Sequence, residues 1–179
     1  MRMKAMIKTR LTRWLRDEEG AMIADFAVMF PVFLMFMLSS VEMGMMTFRQ
    51  TMLERGLDMT VRDLRLGFIE DPTHLKVKNQ ICTYAGFLPN CAESLRLEMQ
   101  PVDPRDYTEL PQSADCIDKS QDISPVRAFV NGGGNELMVM RACIKIAPVF
   151  PTVGLGNQVA KDGNGDVALF STTAFVNEP

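Results

Sequence analysis

A single carboxylate interrupts the most apolar stretch of this 179-residue chain. Asp25 lies five residues after Gly20, and no charged residue occurs between Phe26 and Val41. An ionised side chain deep in a lipid bilayer is destabilising by a few kcal/mol, and by less near the interface. If the stretch enters a membrane, Asp25 is therefore a candidate functional group.

Four cysteines follow the apolar stretch, and none precedes it. An even number of cysteines beyond a membrane segment indicates disulfide bonds in an oxidising compartment. Three pairings are possible. We favour a bond between the first two cysteines, because only a short loop separates them between a predicted helix and a predicted strand. A zinc site is the alternative, but the cysteines lack the close spacing of such sites and no histidine accompanies them. The favoured pairs are Cys82–Cys91 and Cys116–Cys143.

The remaining candidate groups indicate no catalytic chemistry. His74 is the only histidine, and it stands beside a predicted helix start, where a surface role is expected. Residues 162–166 resemble the opening of a calcium loop, but Val167 and Thr173 replace the glycine and the glutamate that such a loop requires. A glycine-rich hairpin is the simpler interpretation. No nucleophile elbow, zinc-protease motif or phosphate loop occurs, so we expect neither an enzyme nor a bound cofactor or metal.

A basic segment precedes the apolar stretch. Residues 1–20 contain six basic and three acidic side chains, whereas the rest of the chain has a net charge of −6. This asymmetry predicts a cytoplasmic N-terminus and a body on the other side of a membrane. The acidic body also argues against nucleic acid as a partner. As a helix, residues 21–41 would span about 31 Å, close to one hydrocarbon core.

The apolar stretch has three possible interpretations. A cleaved secretory signal needs small residues before the cut, but a cut after Ser40 would place Leu38 at the third position before it. A plain uncleaved anchor explains everything except Asp25. The third interpretation is cleavage after Gly20, with the apolar helix retained.

The helical pattern continues beyond the apolar stretch. Apolar residues at spacings of three and four predict an amphipathic helix over residues 49–70, with Gly67 as a possible end signal. One helix of roughly 45 residues would then run from the membrane into the head. Its apolar face could pack on its own head or on other subunits. The residues on this face are Leu53, Leu57, Val61, Leu64 and Phe68.

The second half of the chain predicts an α+β head. Thr73 is a candidate N-cap for a helix that extends to about Ala85. Alternating apolar and polar residues predict strands over residues 95–99, 136–147 and 166–178, with glycine-rich turns before the last two. Most of residues 101–126 are expected to form a loop. The predicted fold is a long N-terminal helix followed by a small antiparallel sheet.

Three of these features together resemble a known family. Gly20 ends a short basic leader, an acid and Phe26 follow it, and the sequence closes on Asn-Glu-Pro at 177–179. In this combination the chain resembles the TadE-like minor pilins, or pseudopilins, of the tight-adherence (Tad/Flp) type IV pilus system. The resemblance covers residues 13–70 and, more loosely, 135–179. Asp25 stands where the family usually has glutamate, which keeps the charge on a shorter side chain.

The resemblance implies a processing event and an assembly role. A prepilin peptidase would cut between Gly20 and Ala21 on the cytoplasmic side. Asp25 and Phe26 would then be the fifth and sixth residues, and the carboxylate would neutralise the new amino group at Ala21 on its own or a neighbouring subunit. The implied partners are other pilins, pilus assembly-platform proteins, the prepilin peptidase and membrane lipid.

The expected organisation follows from both lines of reasoning. It comprises a leader (1–20), a transmembrane and assembly helix (21–48), an amphipathic stalk helix (49–70) and a periplasmic head (71–179). The protein would cross the bacterial inner membrane once and take part in assembly or priming of an adhesion pilus. An uncleaved, membrane-anchored periplasmic scaffold or binding module is the alternative function.

Overall fold

The structure, a computed structural model, describes residues 21–106, 116 and 128–178. The predicted leader with Gly20, and most of the predicted loop at 101–126, lie outside these residues. The described elements are α1 (Ala21–Arg65), α2 (His74–Ala85), α3 (Cys91–Ser94), β1 (Leu95–Pro101), β2 (Leu137–Ile146), α4 (Gly154–Gln158) and β3 (Val167–Val176).

Helix α1 is continuous over 45 residues. At 1.5 Å per residue it is about 67 Å long, which is more than twice the thickness of a hydrocarbon core. It ends at Arg65 because Gly67 adopts a left-handed conformation with φ of 71°. The amides of Gly67 and Phe68 then turn back to the carbonyls of Leu64 and Asp63 at 3.1 and 3.0 Å, which satisfies the last turn. The helix therefore ends five residues before the predicted boundary, at the glycine that was expected to stop it.

Helix α2 begins and ends where the sequence predicts. The Thr73 hydroxyl accepts a hydrogen bond from the Lys76 amide at 3.4 Å, as an N-cap does. Gly86 follows the last residue with a positive φ of 59°. The Cys82–Cys91 disulfide joins this helix to α3, with a Cα–Cα distance of 5.7 Å.

The three strands form an antiparallel sheet in the order β1-β2-β3. Leu97 lies opposite Ala142, and Ala142 lies opposite Ser171, so these three residues share one face. Alternate residues of β1 and β2 on that face are buried, as the period-two pattern predicts. The structure thus confirms the predicted α+β class, a long helix followed by a small antiparallel sheet.

The C-terminal half of α1 completes the core of the head. Leu53, Leu57 and Val61 are buried together with α2 and the inner face of the sheet. Gly56 permits this approach, because a Cβ there would lie 2.7 Å from the Ile81 carbonyl oxygen. Of the two possibilities that the sequence left open for this face, packing on its own head is the one observed along these turns.

The outer face of the sheet differs between its two halves. Near β1 and β2 it contains the second disulfide, Cys116–Cys143, with a Cα–Cα distance of 5.2 Å. Arg141 is also buried there, with its Nε 3.8 Å from a Glu98 carboxylate oxygen. On β3 the outer side chains are exposed, Phe170 among them. Both disulfide pairs are those favoured from the sequence.

Candidate assembly segment and its junction with the head

The N-terminal half of α1 projects from the head without a covering layer among the described residues. Phe36 is 74% exposed, and Phe26 and Phe33 are exposed almost as fully. The most apolar 18-residue window within Ile23–Arg65 has a mean hydropathy of 1.9, and none of it is buried. By length and composition this helix could span a membrane. A surface so apolar is suited to lipid or to other helices, not to water.

Asp25 lies at the beginning of this projecting segment. Its side chain is exposed, and no ion pair or hydrogen bond joins it to another residue within the described parts of the chain. The neighbouring Phe26 stacks on Phe30, with ring centroids 5.0 Å apart. Asp25 is four residues after Ala21, so the two positions are neighbours on the same face of the helix. The Gly20–Ala21 bond itself involves a residue outside the described part.

A second carboxylate, Glu42, ends the projecting segment, and its surroundings are entirely different. Its side chain is only 1% exposed. Oε1 accepts a hydrogen bond from the Val149 amide at 3.0 Å, and Oε2 accepts one from the Phe150 amide at 2.6 Å. Charge-assisted bonds of this kind are about twice as strong as neutral ones. The carboxylate therefore binds the segment that follows β2 to the helix.

Ser39 provides a second attachment one turn earlier. Its hydroxyl donates to the Met35 carbonyl at 2.8 Å and accepts from the Leu155 amide at 3.1 Å. Gly154 makes this approach possible, because it has a positive φ of 57° and a Cβ there would collide with Ser39 Oγ. We refer to residues 147–158, which carry all these contacts, as the docking loop.

Two basic side chains, one on α1 and one after the loop, bind backbone carbonyls of the docking loop. Arg49 donates to the Ala147 carbonyl at 3.0 Å. The Lys161 ammonium donates to the carbonyls of Pro151 and Gly156 at 2.8 and 2.9 Å. The loop is thus fixed along more than two turns of α1, from Ser39 to Arg49. From Ala21 to Leu38, just before this attachment, the helix is about 27 Å long, close to the ~30 Å of a hydrocarbon core.

Sequence reasoning did not predict that Glu42 and Ser39 hold the head; it considered Ser39 only as a small residue that could let helices approach closely. Both contact backbone amides that are more than 100 positions away along the chain. Backbone donors leave no mark in side-chain patterns, so a motif search has nothing to match. The available signal was a lone acid at the outer end of an apolar run, where an unpaired charge would be unfavourable.

The other candidate groups, His74 and Asp162, make contacts that stabilise the fold. His74 lies edge-on against Phe129, with centroids 5.4 Å apart, and burial is the main cause that lowers the pKa of its imidazole. Asp162 accepts from the amides of Asn164 and Asp166, both at 2.9 Å, and pairs with the Lys145 ammonium at 2.8 Å. The Lys145 bond is the main cause that lowers the pKa of the Asp162 carboxyl. Residues 162–166 thus close the turn before β3, and no metal-binding cluster occurs among the described side chains.

One region of the chain, mostly within α1, matches a known protein family. Residues 20–62 match the family described as TadE-like protein. The match begins at Gly20, includes Asp25 and Glu42, and ends three residues before the end of the helix. No curated protein and no solved structure gives a significant match to the chain.

Proposed function

We propose that the chain is a minor pilin or pseudopilin of a Tad/Flp-type pilus, because residues 20–62 match the family described as TadE-like protein. In this proposal a prepilin peptidase removes residues 1–20, and the mature chain begins at Ala21. The protein acts by assembly into, or priming of, the pilus rather than by catalysis. Its partners are other pilins, the assembly platform, the peptidase and membrane lipid.

The observation that carries this proposal is the unburied apolar half of α1 inside the matched region. The head buries its own core without using residues 23–37. A helix that is apolar on every side and excluded from its own core needs an external apolar environment. Lipid before assembly and other pilin helices after assembly would both provide one. The basic residues before Gly20 support an N-terminus in the cytoplasm and a head in the periplasm.

Asp25 supports the processing step. Cleavage after Gly20 would place a charged amino group at the first turn of α1, at the membrane boundary. The Asp25 carboxylate is one turn away, where side chains four residues apart approach to about 5–6 Å between their Cβ atoms. The carboxylate is exposed and has no partner among the described residues, so it is also available to the amino group of an adjacent subunit. Either pairing would offset the desolvation of both charges when helices pack together.

N-terminal sequencing and intact-mass measurement of the chain from native membranes test the processing step. We expect a mature chain that begins at Ala21. A chain that begins at Met1 in cells with normal pili would overturn the proposal and favour an uncleaved scaffold.

The role of Asp25 is tested separately by replacement. Asp25→Ala should give a stable membrane protein with strongly reduced incorporation into pili, measured by immunoblotting of sheared pili and of membranes. Asp58→Ala is a matched control, because Asp58 is an exposed aspartate further along the same helix. Equal incorporation of the two variants would refute the neutralisation mechanism.

A further inference from the structure

We propose that the outer part of the docking loop, residues 148–155, inserts into the bilayer interface beside α1, so that the head rests on the lipid surface. The inference rests on the proposed function in one respect, the placement of the first half of α1 in a membrane. It adds a second contact with lipid, made by a segment that lies outside the TadE-like match.

The composition of the loop favours lipid as its partner. No charged residue occurs between Ala147 and Ala160. Val149 and Val153 are 40% and 43% exposed, so two apolar side chains of the loop face outward. Between the loop and the helix lies an apolar cleft of about 720 Å³ that Met35, Phe36 and Val153 help to line. Ser39, Thr152 and Gln158 are among the uncharged polar residues that also line it. The exposed apolar surface of α1 therefore continues onto the loop across a cleft that has apolar and uncharged polar walls.

The height of the loop along α1 places it at the end of the membrane span. The cleft extends from Met35 to Met43 along the helix. These residues lie about 21 and 33 Å from Ala21 along the helix axis. A hydrocarbon core about 30 Å thick ends between these two levels. If Ala21 stands at one boundary, the loop lies across the other.

Part of the loop backbone has hydrogen-bond partners within the protein, as an environment with little water requires. Non-helical backbone is tolerated in lipid only where its polar groups are satisfied by the protein. Pro148 and Pro151 have no amide hydrogen, and Glu42 and Ser39 accept the amides of Val149, Phe150 and Leu155. The carbonyls of Ala147, Pro151 and Gly156 accept bonds from Arg49 and Lys161.

Cations flank the loop where lipid headgroups would lie. Arg49 is two turns above Glu42, and Lys161 follows the loop. Long basic side chains can place their apolar stems along the interface and their charges among the phosphates. Both cations bond loop carbonyls through some of their donors, and the remaining donors can face lipid phosphates. An apolar tip with positive charge beside it matches a lipid surface, where apolar chains lie next to phosphates.

Depth-dependent quenching of tryptophan by brominated lipid tests the inference. The only tryptophan, Trp14, is replaced by phenylalanine, and single tryptophans are introduced as Val153→Trp, Phe33→Trp and Phe68→Trp. Phe33 reports on the span, and Phe68, which is 74% exposed three residues beyond the end of α1, is the control outside the membrane. The full chain is reconstituted in phosphatidylcholine vesicles that carry bromine either near the headgroups or near the bilayer centre.

We expect Val153→Trp to lose emission with the shallow bromines, Phe33→Trp with the deep ones, and Phe68→Trp with neither. If Val153→Trp behaves like Phe68→Trp while Phe33→Trp is quenched, the loop inference is wrong and the membrane placement of α1 stands. If Phe33→Trp is not quenched, the membrane placement itself fails. Blue-shifted emission of Val153→Trp without bromine quenching would show that the loop is buried against its own head or a second copy of the chain, and would also overturn the inference. Val149→Trp serves as a second probe if Val153→Trp does not fold.

Discussion

Replacement of Glu42 by alanine should detach the docking loop from α1. The change removes both acceptors of the Val149 and Phe150 amides. A buried donor without a partner is destabilising by about 1–3 kcal/mol. Water can reach part of this loop once it moves, because Val149 is exposed. We therefore expect the free energy of loop opening to fall by about 2–4 kcal/mol, the lower and middle part of the range for two amides.

Amide hydrogen exchange at Leu155 measures this opening. The Leu155 amide bonds to Ser39, not to Glu42, so its own partner is intact in the variant. A loss of about 2–4 kcal/mol corresponds to an exchange rate that is roughly 30 to 700 times faster. The measurement is made on the full chain in detergent micelles, with the disulfides intact.

Two further variants complete the test. Glu42→Gln keeps one oxygen but turns a donor towards one of the two amides, so its effect should lie between wild type and Glu42→Ala. Asp58→Ala removes an exposed acid from the same helix and should change the free energy by less than about 0.5 kcal/mol. If Leu155 exchanges at the wild-type rate in Glu42→Ala, the carboxylate does not hold the loop, and our account of the junction is wrong.

Three other predictions concern the head. Gly154→Ala should destabilise the docking loop by about 1–3 kcal/mol, because of its positive φ and the collision with Ser39; hydrogen exchange of the loop should be normal in Gly163→Ala, where a Cβ meets no atom. Cys82→Ser with Cys91→Ser should lower the free energy of unfolding by about 2–3 kcal/mol in urea titrations, since the bond closes a short loop; unchanged stability would show that the bond does not constrain the unfolded chain. Lys145→Gln should be less stable than wild type at neutral pH. The lowered pKa of Asp162 makes its contribution full above the ordinary value of 3.8 and smaller as the pH falls through the folded-state pKa, so a difference that persists in acid would contradict the pairing.

Local patterns were sufficient for α2 and the three strands of the head, whereas the short helices α3 and α4 were not predicted. The threonine cap and the glycine after α2 define its ends by backbone geometry that neighbouring residues control. The alternation in β1 and β2 identifies the buried face, since successive side chains point to opposite sides of a strand. The same reasoning placed residues 162–166 in a turn, where Asp162 accepts the amides of its own turn.

The candidate site was only partly predictable, because local patterns report on neighbouring residues and not on distant contacts. Asp25 is identifiable because a charge in an apolar run is anomalous within a few residues. Glu42 has an equally anomalous position, but its function depends on amides that are 107 and 108 positions away. Those amides belong to a loop whose own sequence shows only prolines, glycines and apolar side chains.

The sequence by itself determined the long helix, the apolar character of its first half, the three strands and the even set of cysteines, because each depends on the spacing of neighbouring residues. Only the tertiary structure decided that the second half of α1 belongs to the core of the head, and that Ser39 and Glu42 mark where the free part of the helix ends. These features depend on contacts between segments distant in sequence, and backbone donors that form such contacts are the same in every residue except proline.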